Sequence, residues 1–148
     1  MREILFRAKT VKSVHWIWGD LFHAGTEPSD GEFAISYWDD EDGWMNENVQ
    51  PGTIGQFTGL LDKHGKRIFE GDIVECVSWN EYFSKDGKPM EPFRRKMFVD
   101  YRKGGFKMVE PMPEPMKDNE WDIICNGDIV IIGNIYDDPQ LIDMKRLG

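Results

Sequence analysis

No window of about eleven residues or more in this chain places apolar side chains at the 3.6-residue period of an amphipathic helix. Period two recurs instead, in short runs closed by Asp, Gly or Pro. Ile4, Phe6 and Ala8 share one face of the first run. Val14 to Trp18 forms a second, rich in β-branched and aromatic residues and punctuated by Gly19-Asp20. Phe33, Ile35 and Tyr37 line one side of a third. Further strands are predicted over Ile54 to Leu61, Arg67 to Phe69, Ile73 to Trp79, Lys96 to Tyr101, Phe106 to Val109 and Trp121 to Cys125. Ile129 to Tyr136 is apolar on both faces, which predicts a central strand covered on both sides. Asp138 before Pro139 supplies an N-cap and a first-turn proline, predicting one short C-terminal helix. The chain is therefore expected to be all-β, a strongly bent sheet or a small SH3-like barrel with extra strands.

The turns carry the sharpest local chemistry. Asp62-Lys63-His64-Gly65 suits a type I turn whose leading carboxylate accepts backbone N–H groups, with Gly65 left-handed in a G1 bulge. Gly71-Asp72 predicts a bend into the next strand, and Ser84 to Lys88 repeats the hairpin chemistry. Asp39 to Gly43 turns the chain before Trp44, residues 26 to 31 read as a loop, and three prolines between Glu110 and Glu120 mark an exposed loop. The pair Gly-Asp followed by two apolar residues recurs at Gly19, Gly71 and Gly127. A bend feeding a buried strand explains all three, with Gly supplying a positive φ and Asp capping donors.

A length of 148 residues fits one domain over 1–148, with an N-terminal β part at 1–52 and a β-barrel part at 53–148 as its natural subdivision. Cys76 and Cys125 are too few and too far apart for a disulfide scaffold or a zinc site, and read as reduced, buried thiols. No apolar run approaches the ~20 residues of a membrane span, and Met1-Arg2-Glu3 leads directly into a strand-like segment. A cytoplasmic protein with no membrane partner is expected.

Several chemistries fail on spacing. Gly59 and Gly65 are separated by five residues and Lys66 is followed by Arg67, so there is no phosphate-binding loop. His15, His23 and His64 have no partners at ligand spacing. Trp38 stands where a calcium loop over the Asp39 to Asp42 cluster would need its first ligand. No catalytic residue, cofactor site or metal site is assigned, and the chain is not expected to be an enzyme. An enzyme built on converging carboxylates is the remaining catalytic alternative.

Charge is unevenly spread. The net charge is −9, yet Phe93 to Lys107 holds Arg94, Arg95, Lys96, Arg102, Lys103 and Lys107 against Asp100 alone, a local +5. Phe93, Phe98, Tyr101 and Phe106 interleave with these cations, the composition of a stacking platform for single-stranded nucleic acid. A hairpin with core aromatics on one face and solvated cations on the other has the same pattern. A subordinate version inverts the nucleic-acid reading: the acidic remainder mimics nucleic acid and occupies a host DNA-binding protein. Six tryptophans and nine phenylalanines also suggest self-association through surface aromatics.

Three blocks resemble the signature of the YopX family of phage and prophage proteins: Ile54 to Leu60, Asp62 to Lys66, and Ile68 to Val74. Arg2 to Ala8, Trp16 to Leu21 and Ile132 to Tyr136 resemble the family's flanking segments in the same order. His64 departs from the usual Asn of the turn. The resemblance implies a mostly β fold and a phage or prophage origin, and it supplies no catalytic residues. Gly55, Gln56, Thr58, Gly59, Asp62, Gly65, Gly71 and Asp72 are its motif positions, read here as scaffold. The expected role is that of an accessory protein that binds a host or phage protein in the bacterial cytoplasm. Nucleic-acid binding through the 93–107 segment is the alternative.

Overall fold

The computed structural model describes residues 2–27, 31–78, 87, 93–123 and 128–142. The chain divides into two compact units, Met1–Gly59 and Leu60–Gly148. All strand pairings described are antiparallel, and neither sheet closes into a barrel.

In the first unit β1 (Phe6–Lys9), β2 (Trp16–His23), β3 (Phe33–Asp39), β4 (Gly43–Val49) and β5 (Gly55–Leu61, which runs on past the unit boundary) stand in the order β4-β3-β2-β1-β5. The inward faces bring Ala8, Ile17, Ile35 and Val49 together, flanked by Phe6, Leu21, Phe33, Tyr37 and Ile54. The sheet is strongly bent. Thr10 bridges Val49, and Val11 N–H and Gln50 N–H donate to Asn48 O (3.0 Å) and Lys9 O (2.8 Å), so the end of β1 meets the end of β4. Thr53 fastens this corner, its hydroxyl accepting from Lys9 N–H and donating to Gln50 O.

Three features depart from the sequence expectation. β4 is a strand where the sequence predicts only a turn before Trp44. Gly19-Asp20 does not end β2, which continues to His23; Gly19 has no positive φ and is small because a Cβ there would lie 2.1 Å from Ser36 O. Val14, expected inside the strand, instead takes φ +53° in the preceding turn.

In the second unit β5 turns through Asp62–Lys66 into β6 (Arg67–Phe69). A five-stranded sheet follows, order β10-β9-β8-β7-β11, from β7 (Asp72–Ser78), β8 (Phe93–Arg102), β9 (Gly105–Glu110), β10 (Asn119–Asp122) and β11 (Ile129–Asn134). Alternation sends β8 side chains to both faces. Met97 and Val99 join Ile68, Val74, Met108 and Ile129 on one side, and Phe98 joins Ile73 and Val109 on the other. Lys103 (φ +54°) and Gly104 (φ +79°) make the two-residue turn between β8 and β9, the twist that a right-handed hairpin needs.

β11 is an edge strand paired only with β7, not the central strand its sequence predicts. Its apolar residues serve two clusters, Ile129 and Ile131 on one face and Ile132 on the other, which explains the two-sided pattern. Its open edge is covered by the Asp62 turn. Lys63 N–H donates to Ile129 O (2.8 Å), and Ile131 N–H donates to Asp62 Oδ2 (3.1 Å). The C-terminal helix is a single 3-10 turn, Pro139–Leu141, and Asp138 makes no side-chain cap to it; that carboxylate accepts instead from Asn134 N–H.

The remaining turns follow their residues. Asp62 Oδ1 accepts from His64 N–H (2.8 Å) and Lys66 N–H (2.9 Å), and Gly65 takes φ +77°. Gly71 takes φ +90° and buried Asp72 accepts from Phe69 N–H at 2.7 Å. Gly59 has a positive φ, whereas Gly55 does not. Cys76 is a free thiol against the core. Trp79, Cys125, Gly127 and all but Gly87 of the Ser84 to Lys88 turn lie outside the described residues.

Candidate binding surfaces

The cationic segment folds as predicted for a hairpin, and the structure supplies what sequence could not: the groups opposite each charge. Arg94 pairs with Glu75 (3.0 Å) and Arg95 with Glu110 (2.9 Å). Arg102 reaches Asp100 (2.9 Å), Glu120 (3.0 Å) and Asp118 (3.8 Å). Lys103 pairs with Glu120 at 3.1 Å, and Lys107 pairs with Asp122. Glu75, Glu110, Asp118, Glu120 and Asp122 all lie outside residues 93–107. These five carboxylates match the local +5, so a phosphate backbone approaching β8 and β9 meets a mixed surface.

Register explains the pairing. Glu75 lies across from Lys96 and beside Arg94, while Asp122 lies across from Lys107. Lys96 is exposed and has no ion pair among the described residues. The aromatics are divided: Phe98 is core, and Tyr101 and Phe106 stack edge-to-face at 5.3 Å. Arg95 lies 5.3 Å over the ring of Trp121. The Glu120 carboxyl is held below its usual range by its hydrogen bonds from Arg102 and Lys103.

The first unit presents a different surface. Trp16, Trp18, Trp38 and Trp44, with His15, Asp20 and Ser36 between them, line a shallow, open cleft of about 500 Å³. Trp38 and Trp44 are register partners on β3 and β4, and their rings meet edge-to-face at 5.6 Å. Trp18 is 49% exposed, Trp38 60% and Trp44 67%. Trp16 is less exposed because Arg7 and Lys9 lie over it, at 4.9 Å and 5.6 Å from the ring centroid.

Beside Trp38 and Trp44, Asp39 Oδ1 accepts from Glu41 N–H (2.9 Å) and Asp42 N–H (3.0 Å). These bonds hold the Asp39 carboxyl below its usual range and tie it to its own turn. Asp40, Glu41 and Asp42 stand exposed next to the tryptophan pair.

This surface was missed because β4 breaks the usual alternation at two positions, Trp44 and Glu47. Trp44, Asn46 and Asn48 point outward, while Glu47 sits on the inner face across from Ile35. Glu47 is satisfied there by the Tyr37 hydroxyl, which donates to it at 2.5 Å. The available signal was the count of six tryptophans, without placement. The Tyr37 phenol is pushed up to about 12, first by this hydrogen bond, then by desolvation and neighbouring carboxylates. A raised phenol contributes stability fully below the unfolded value of 10.0, lost as pH rises through about 12. An ultraviolet difference titration is expected to show one tyrosine ionising near pH 12, returning toward 10 in Glu47→Gln. Ionisation of Tyr37 near 10 in the unaltered protein would contradict the pairing.

A family model described as YopX protein matches residues 5–143. No curated protein matches. Among solved structures, the crystal structure of protein EF1440 from Enterococcus faecalis superposes with a TM-score of 0.53 at 20% identity, covering 97% of this chain and 100% of that one. At that identity the likeness is one of fold alone. Among the described residues no helix is long and apolar enough to cross a membrane.

Proposed function

The chain belongs to the YopX family, and on that premise we propose that it acts by binding another protein, of phage or host origin, in the bacterial cytoplasm, without catalysing a reaction. The observation that carries this reading is the set of three tryptophans, each about half exposed or more, lining one cleft of the first unit. Scattered single apolar residues on a surface are ordinary, but a contiguous aromatic patch marks an interaction site. Tryptophan is also among the residues that most often dominate binding energy. The cations of β8 and β9 favour the competing nucleic-acid reading less, because they already face carboxylates.

The test is affinity capture from bacterial lysate with the unaltered protein and with Trp38→Gln/Trp44→Gln. Both side chains are exposed, so the double variant loses little beyond the ring–ring contact, about 1 kcal/mol, and keeps its circular dichroism spectrum. A partner held in stoichiometric yield is expected to bind the variant at least ~30-fold more weakly, the effect of one hot-spot residue of about 2 kcal/mol. Equal capture by both proteins overturns the proposal. So does light scattering that finds a dimer converted to monomer by the variant, since a second copy then fills the cleft.

A further inference from the structure

The molecule itself displays what a tryptophan on this sheet accepts. At one end of the aromatic cleft, Trp16 is covered by two of the chain's own cations, Arg7 and Lys9. Among the described residues no cation lies over Trp18, Trp38 or Trp44, which stay exposed. The π faces of tryptophan are negative and are the strongest aromatic acceptors for guanidinium and ammonium groups.

The charge around the open end has the matching sign. Asp20 lines the cleft beside Trp18, and Asp40, Glu41 and Asp42 form the turn that joins Trp38 to Trp44. The first unit as a whole carries four Lys and Arg against ten Asp and Glu, a net charge of −6. Such a field repels phosphate and acidic peptides and attracts cations from a distance. Neutral apolar side chains would gain nothing from it.

Resting on the cleft as the docking surface, we infer that its occupant is a cationic segment of the partner protein, with arginine or lysine side chains lying over Trp18, Trp38 and Trp44. An extended segment presents alternate side chains on one side, repeating about every 6.8 Å. Cations at alternate positions therefore reach the cleft together, while the residues between them face away. The acidic turn steers the segment in, and the indole faces hold it.

The probe is a synthetic octapeptide alternating arginine and glycine, titrated against the full chain by tryptophan fluorescence at low and physiological salt. Controls replace every arginine by glutamine or by glutamate. The arginine peptide is expected to bind about tenfold more tightly than the glutamine peptide, and the glutamate peptide not to bind. Trp38→Gln/Trp44→Gln is expected to remove the difference. The variant Asp40→Asn/Glu41→Gln/Asp42→Asn, which leaves the turn-capping Asp39 in place, is expected to weaken binding several-fold and flatten its salt dependence.

Equal binding of the arginine and glutamine peptides overturns the inference, as does equal binding of the arginine peptide by the tryptophan variant. Tighter binding of the glutamate peptide or of oligothymidylate overturns it in favour of an anionic ligand. The two readings fail separately: if the tryptophan variant loses its captured partner while the peptides are not discriminated, the cleft remains the docking surface and only its cationic specificity falls.

Discussion

Asp62→Ala is expected to destabilise the protein by about 3 kcal/mol, a large share of the ~5–15 kcal/mol that holds a domain of this kind folded. The carboxylate is buried and accepts three backbone N–H groups, from His64, Lys66 and Ile131. Water can replace it at the exposed turn. It does so less readily at Ile131, whose N–H lies on the half-buried edge of β11, so the loss there approaches that of a buried donor without a partner. Asp62→Asn keeps one oxygen for the turn but turns an NH₂ toward one set of donors, and is expected to cost roughly half as much.

The same group fixes an acid limb. Desolvation raises the Asp62 pKa, but the three N–H donors outweigh it and hold the carboxyl below 3.8. A depressed carboxylate contributes stability that is fully present above the unfolded value and lost as pH falls through the folded one. Asp62→Asn is therefore expected to flatten the loss of stability below about pH 4. Urea titrations across that range measure both effects. A change under about 0.5 kcal/mol in Asp62→Ala, or an unaltered acid limb in Asp62→Asn, contradicts the role.

Gly71→Ala is expected to cost about as much, by a different route. Its φ of +90° is strained for any residue with a Cβ, worth about 1–2 kcal/mol. An added Cβ would also lie 2.9 Å from Cε2 of Tyr136, so the ring must move. Overpacking of that kind costs a further ~1–3 kcal/mol. The backbone cannot swing aside, because Gly71 N–H donates to Val99 O (2.8 Å) and Gly71 O accepts from Ile135 N–H (2.9 Å). In a Tyr136→Ala background the steric share disappears and the strain remains, so the cost of Gly71→Ala is expected to fall by about half. An equal cost in both backgrounds contradicts the close packing.

These two positions show which parts of the fold are legible in the sequence. Asp62, Gly65, Gly71 and Asp72 act through their own turns, where residue type and backbone conformation are tied within a few positions. The further reach of Asp62 to Ile131, 69 residues away, leaves no trace in the sequence. β11 reads as central because side-chain pattern reports covered faces and is silent about hydrogen-bonded edges. The charge of residues 93–107 stood out for the same reason. Glu75, Glu110, Asp118, Glu120 and Asp122 join those cations only when β7, β9 and β10 come alongside or the preceding loop returns. β4 escaped because its largest apolar residue, Trp44, faces solvent and its acid, Glu47, faces inward. The departure from ordinary patterning that hid the strand is what exposes Trp38 and Trp44.

The proposed meeting place of the protein with its partner is the first unit's tryptophan cleft, and not the paired cations of β8 and β9. Hydrogen exchange of the captured complex against the free protein tests it most directly. Slowed exchange is expected only in β2, β3, β4 and the Asp39 to Gly43 turn. Protection concentrated in residues 93–110, with β2 to β4 unaltered, would contradict it.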